Sequence, residues 1–230
     1  MAEIQLRNVS KRWGAFVGVD NFNLTIADRE FLVLLGPSGC GKTTTMRMIA
    51  GLEDVTGGEI TIDGKIINDL EPKDRDVAMV FQSYALYPNR NVYDNIRFPL
   101  KVRGIDPKTH DAKVKRASAM VELDDFLHRK PAELSGGQRQ RIAIARALII
   151  RPKLILFDEA VSALDVSVRA QILDLLADLC RTHDLTYLFI SHDLSVVRTV
   201  TDRVLVMQAG EIVEQGPTQE VFDAPRHPYT

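Results

Sequence analysis

Apolar residues along this chain come in short bursts separated by stretches of helical spacing. Phe22-Asn23-Leu24-Thr25-Ile26 alternates apolar and polar side chains, the period of a half-buried strand. Glu30 to Leu35 is an apolar run that stops at Gly36, which suits a buried strand. Glu59–Ile62 and Lys65–Ile67 flank Asp63-Gly64, a dipeptide that favours a two-residue hairpin turn. Asp76–Phe81 predicts another strand. Between about Asn91 and Lys130 strand signals vanish, charged residues dominate, and Pro99, Pro107 and Pro131 punctuate the chain. Within that stretch Lys108–Leu123 reads as an amphipathic helix with Ala112, Val114, Ala117 and Val121 on one face. After Gly136 the alternation resumes, with a helix to Ile150, a strand at Lys153–Phe157, a helix at Val166–Arg181 and a strand at Thr186–Ile190. The last stretch offers a helix from Leu194, a hairpin across Gln208-Ala209-Gly210 and a short helix at Thr218–Phe222. Strands alternating with helices predict an α/β fold with a mainly parallel sheet covered on both faces and a helical insertion.

Composition excludes several classes. At 45% hydrophobic and 26% charged residues, the 230-residue chain is neither disordered, collagenous nor coiled coil. A net charge of −2 offers no global basic field for nucleic acid or an anionic membrane. The longest apolar runs, such as Phe31–Leu35 and Leu154–Phe157, fall far short of a bilayer span. Met1-Ala2-Glu3-Ile4 lacks the basic and apolar regions of a secretory signal. Cys40 and Cys180 form neither a zinc spacing nor a disulfide framework. The expectation is a soluble, cytosolic chain with no nucleic-acid partner and no transmembrane segment.

The chemistry concentrates at two places. Gly36-Pro37-Ser38-Gly39-Cys40-Gly41-Lys42-Thr43 fits G-x-x-x-x-G-K-[ST], preceded by an apolar strand and continued by Thr44–Ala50 as helix. Such a loop turns its backbone N–H groups inward, which glycine permits, and the helix it opens adds donors and a positive dipole at the phosphates. Lys42 is placed to contact the β- and γ-phosphates, and the Thr43 hydroxyl to sit on Mg²⁺. Leu154-Ile155-Leu156-Phe157-Asp158-Glu159 carries two carboxylates at the end of a buried strand, where α/β sheets bind ligands. Asp158 is suited to hold Mg²⁺ through water, and Glu159 to orient and deprotonate an attacking water.

A third segment, Leu134-Ser135-Gly136-Gly137-Gln138 followed by Arg139-Gln140-Arg141, decides the kind of nucleotide hydrolase. With it, the chain resembles the nucleotide-binding domain of an ABC transporter over essentially all its residues. The resemblance implies a P-loop NTPase (RecA-like) core with an antiparallel β subdomain and an inserted helical subdomain carrying the signature motif. It implies one domain over 1–230, with 1–90 and 150–230 forming the core and β subdomain, about 91–149 the helical subdomain, and no C-terminal regulatory domain. Trp13 stands where the family stacks an aromatic on adenine, and Gly36, Ser38, Gly39, Gly41, Lys42, Thr43 and Thr44 where it holds phosphates. Gln82 matches the Q-loop glutamine that reaches Mg²⁺ or the water, so Thr43, Gln82 and Asp158 are the implied metal set. Ser162-Ala163-Leu164-Asp165 matches the D-loop, with Asp165 at the nucleotide interface, and His192 matches the switch histidine beside the γ-phosphate. Glu159, His192 and Lys42 are thus the implied catalytic residues. Ser135, Gly137 and Gln138 would face the nucleotide held by a second subunit, giving a head-to-tail homodimer around two ATP molecules. Ser83–Arg103 would face separate membrane permease subunits, placing the chain in the cytoplasm, peripheral to the membrane.

The subclass resemblance changes along the chain. Residues 1 to about 148 resemble the ATPases of sugar importers, as in Gly36–Glu53 and Phe81–Pro88. From Asp158 onward, Glu159–Ser167, Ser191–Arg198 and Ala224–Thr230 resemble those of oligopeptide, dipeptide or nickel importers. The expectation is a chimera joined within about 142–157 and truncated at Thr230, against a natural divergent importer subunit. Three rival functions are an isolated ATP-dependent dimerisation module, a DNA-repair or chromosome cassette, and a translation-factor ATPase. The second would need a long coiled coil between Lys42 and Asp158, and the third a second cassette.

Overall fold

The computed structural model describes residues 3–191 and 194–230. Among these residues, ten strands form two sheets. The larger is built from β3 (Phe31–Leu35), β6 (Val77–Phe81), β7 (Leu154–Asp158), β8 (Thr186–Ile190), β9 (Arg203–Gln208) and β10 (Glu211–Pro217). Their order is β10-β9-β3-β8-β7-β6, with every pair parallel except the β9–β10 hairpin. The smaller sheet is antiparallel, β2-β1-β4-β5, from β1 (Ile4–Trp13), β2 (Phe16–Ile26), β4 (Gly57–Ile62) and β5 (Lys65–Ile66).

The apolar runs divide between two cores because side chains alternate along a strand. On one face Phe31, Val33, Phe157, Tyr187 and Phe189 pack under α2 (Val92–Val102), α3 (His110–Ala119), α4 (Gly136–Leu148) and α5 (Val166–His183). On the other, Leu32, Leu34, Leu156, Leu188 and Ile190 meet α1 (Lys42–Ala50) and the small sheet. The chain closes with α6 (Leu194–Val200) and α7 (Thr218–Asp223). No helix among the described residues is long and apolar enough to cross a membrane.

Most of the sequence expectations recur within a few residues. The Asp63-Gly64 turn has positive φ at both residues (51° and 75°), as a hairpin of that type requires. The helix expected at Lys108–Leu123 is shorter, and Ala112 is exposed while Val114, Ala117 and Val121 are buried. Strand β1 was not foreseen, and β2 begins six residues before the expected Phe22. Both strands carry register shifts, with Asn8 and Asn21 at positive φ, so the apolar positions Ile4, Leu6 and Val9 do not keep a period of two.

Candidate functional site

Parallel register brings the candidate residues to one edge. Leu34 pairs with Ile190, Ile190 with Asp158, and Asp158 with Phe81. The residues that follow, Gly36, Ser191, Glu159 and Gln82, therefore leave the sheet together at the carboxyl ends of its strands, where such sheets bind ligands.

The loop Gly36–Gly41 is shaped by close backbone neighbours. Gly36 has φ 145°, and a Cβ there would lie 2.3 Å from the Met207 carbonyl oxygen. Gly41 has φ 103° and sits against the Gly18 carbonyl. The loop is thus wedged between the β9–β10 hairpin and β2, with Gly210 N donating to Cys40 O at 3.1 Å. Ser38 and Gly39 form the exposed crest, and Thr44 is half-buried in the first turn of α1. That turn carries no acidic residue, so nothing offsets the helix's positive end. Lys42 is buried at 5% exposure, its Nζ donating to the carbonyls of Gly36 and Pro37 at 2.8 Å each. Cys40 is buried as well, a small side chain packed inside the loop.

Thr43 Oγ1 donates to Asp158 Oδ1 at 3.1 Å, joining loop and strand end. Burial raises the Asp158 carboxyl above its ordinary range, Thr43 opposes that shift, and the Glu159 charge adds to it. A hydroxyl and a partly desolvated carboxylate are hard oxygen donors, and Mg²⁺ is usually held by one or two carboxylates plus phosphates. No group of three or more His, Cys, Asp or Glu gathers among the described residues.

Glu159 stands at φ 50°, a strained turn held because Ser162 donates to its carbonyl from both N (3.0 Å) and Oγ (2.8 Å). It lines a cleft of about 380 Å³ with Ser162, Arg169 and Ser191. Gln82 donates to Ser162 Oγ at 3.1 Å, so the Q-loop glutamine meets the D-loop here and not Thr43 or Asp158. His192 lies outside the described residues.

The signature residues look elsewhere. Ser135 and Gln138 form a reciprocal cap on α4: Gln138 N donates to Ser135 Oγ and Ser135 N to Gln138 Oε1. A Cβ on Gly137 would meet Val168 Cγ1 at 2.6 Å, so this glycine lets α4 approach α5. Asp165 caps α5 through Val168 N at 2.9 Å. Trp13 reaches the loop indirectly: its ring lies on Gly18, whose carbonyl in turn touches Gly41.

Arg146 was missed by the sequence reading. From α4 it donates to the carbonyls of Ala85 (2.6 Å) and Tyr84 (3.0 Å), two successive residues at positive φ just past Gln82. It fixes a strained loop to the signature helix, and no local motif marks a partner 61 positions away.

Comparison with known proteins agrees with this geometry. The family described as ABC transporter matches residues 19–162. The chain belongs to the ABC transporter family. As an ABC ATPase domain it is similar to the sn-glycerol-3-phosphate import ATP-binding protein UgpC of Cupriavidus metallidurans, 48% identical over 98% of this chain and 62% of that protein. It is also similar to the multiple sugar-binding transport ATP-binding protein MsmK of Streptococcus mutans, 42% identical over 100% of this chain and 64% of that one. The chain thus spans less than two thirds of the length of these curated relatives. Among solved structures, the dimeric bacterial ABC transporter cassette MJ0796 superposes with a TM-score of 0.82 at 33% identity, covering 94% of this chain and 98% of that one. A second dimeric structure of that cassette, bound to ADP and Pi, gives 0.81. The ADP conformation of the cassette MJ1267, at 24% identity and TM-score 0.87 over 98% of this chain and 96% of that one, shares the fold.

Proposed function

We propose that this chain binds and hydrolyses ATP as the nucleotide-binding subunit of an ABC importer. Two copies close head to tail around two ATP molecules and drive a separate membrane permease. The observation that carries the reading is the 3.1 Å contact between Thr43 and Asp158, which joins phosphate loop and acidic strand end into one site. Residues 1–230 act as one domain, with 1–90 and 150–230 as core and β subdomain and about 91–149 as helical subdomain.

The residues divide the work. Lys42 exchanges its loop carbonyls for β- and γ-phosphate oxygens, while the N–H groups of Ser38, Gly39, Gly41, Thr43 and Thr44 and the dipole of α1 hold the rest of the phosphate chain. Bound Mg²⁺ would neutralise charge on the phosphate oxygens, with Thr43 and Asp158 as the residues to hold it and Gln82 joining them by leaving Ser162 when the site closes. Glu159 orients the water and takes its proton. His192 is assigned to the γ-phosphate by its motif. Ser135 and Gln138 keep a free face beyond their mutual cap and are assigned, with the backbone of the buried Gly137, to the nucleotide of the second copy. Asp165 and the 80%-exposed Val166 beside it belong to the same interface. Ser83–Arg103, with the rings of Tyr87 and Phe98 packed 4.6 Å apart at a tilt of 52°, is the surface assigned to the permease. On this reading the chain works on the cytoplasmic side, peripheral to the membrane.

The names of UgpC, MsmK and the oligosaccharides import protein MsmX of Bacillus subtilis (44% identical) support a sugar-type or glycerol-phosphate-type solute. The chimera remains a proposal, supported by the motifs in 159–167 and 224–230. Identity to the sugar-importer relatives, counted separately over 1–148 and 158–230, is expected to fall past the junction; equal identity would remove the reading.

Phosphate release with Mg-ATP, measured across a wide range of protein concentration, tests the composite site. Turnover per subunit is expected to rise with concentration, and turnover independent of dilution would refute the shared site. Asp158 supplies a second test. Because burial raises its native value, the folded chain keeps the proton to higher pH than the unfolded chain. Stability therefore falls as pH rises through the interval between the two values and stays lower above it. Asp158→Asn keeps an oxygen for Thr43 and is expected to raise the thermal midpoint at pH 7. It should also weaken Mg²⁺ support of ATP binding by about 10–100-fold. A lower midpoint with intact Mg²⁺ dependence would contradict the assignment.

A further inference from the structure

The surroundings of Trp13 contain a device that the phosphate site does not use. Lys11 lies two residues before Trp13 on β1 and is only 8% exposed, unusual for a lysine. Its Nζ pairs with Glu53 Oε1 at 2.6 Å and donates to the Asp54 carbonyl at 2.7 Å. The same nitrogen stands 5.2 Å from the centre of the Trp13 ring. Hydrogen bonding from Lys11 holds the Glu53 carboxyl below its usual range, with a smaller contribution from the Trp13 side chain. Glu53 lies in the turn that leaves α1, the helix opened by the phosphate loop. On its other borders the indole rests on Gly18, where a Cβ would meet ring carbon Cζ3 at 2.4 Å, and stacks on Phe16 at 6.0 Å and 29°. Even so, 44% of Trp13 and 63% of Phe16 remain exposed.

We propose that Lys11 and Glu53 are positioning residues for nucleotide-base recognition, the ion pair between the buried lysine and the half-buried glutamate locking the Trp13 ring in its stacking attitude and tying it to the far end of the phosphate-loop helix. This rests on the reading of the site as ATP-binding and deepens it. An exposed ion pair contributes little, since holding two long side chains in place offsets the attraction. Here the lysine is already immobilised by burial, so the pair confines the indole at little further entropic cost. A ring fixed before binding need not be ordered when the base arrives, which strengthens stacking. The pair touches the base platform and not the phosphate oxygens, so its contribution falls on the base alone.

Trp13 is the chain's single tryptophan, so intrinsic emission reads this ring directly. Mg-ATP and inorganic tripolyphosphate are titrated against the wild-type chain, Lys11→Met, Glu53→Gln and the conservative Lys11→Arg. Affinity for ATP, followed by Trp13 emission and by calorimetry, is expected to fall roughly five- to tenfold in Lys11→Met and Glu53→Gln. Affinity for tripolyphosphate should hold, and Lys11→Arg should stay near wild type. Equal losses for both ligands would mean that the pair acts through the phosphate loop or the fold and would overturn the proposal, as would no loss for either. Glu53→Gln, at a turn, keeps the test open should Lys11→Met fail to fold. A wild-type chain that binds no ATP would defeat the ATP-binding reading itself, an outcome distinct from unchanged ATP affinity in the variants.

Discussion

Glu159→Gln is expected to lower steady-state ATP hydrolysis by about 10²–10⁴-fold, the usual worth of a positioned general base, while ATP binding is retained. The substitution is isosteric and leaves the turn in place. Residue 159 keeps φ 50° because both bonds from Ser162 go to its backbone carbonyl, which glutamine also offers. What glutamine lacks is the capacity to accept a proton from water. Since the phosphate loop is untouched, the variant should accumulate as an ATP-bound dimer, visible as a larger species by size exclusion with Mg-ATP. Turnover within tenfold of wild type would show that Glu159 is not the base.

Gly36→Ala is expected to abolish ATP binding at millimolar nucleotide and to destabilise the fold. At φ 145° an L-residue is strained, and the new methyl would sit 2.3 Å from a backbone oxygen of β9 that cannot swing aside. Overpacking of this kind costs about 1–3 kcal/mol. For a chain of this length that lowers the thermal midpoint by roughly 2–12 °C. Gly39→Ala is the control, because Gly39 has a similarly restrictive φ of 81° but open space around its Cα. It should lose about 1–2 kcal/mol from the left-handed conformation alone and keep measurable nucleotide affinity. Equal effects at the two positions would mean that strain, and not the wedge against Met207, shapes the loop.

Function enters the sequence where the chemistry is local. Lys42 and Thr43 follow the loop glycines directly, Glu159 follows Asp158, and Ser135 caps a helix three residues before Gln138; each relation lies within one turn or strand end. The buried strands were legible for the same reason, since β3, β7 and β8 are continuous apolar runs closed by glycine, acid or serine. Strand β1 was not, because positive φ at Asn8 breaks its alternation and moves Val9 back onto the buried face.

Sequence alone determined the phosphate loop, the acidic strand end, the signature helix and hence the family, because a handful of neighbouring residues specifies each. Only the tertiary structure decided which of them meet. Thr43 reaches Asp158 through the parallel pairing of β7 and β8 and of β8 and β3, and Gln82 finds Ser162 eighty positions away. Gly137 is a packing glycine because α5 happens to lie against it, and Lys11 is buried because the turn after α1 closes over it. Such partners are chosen by strand register and helix packing, which the whole core sets together, so no local spacing can announce them.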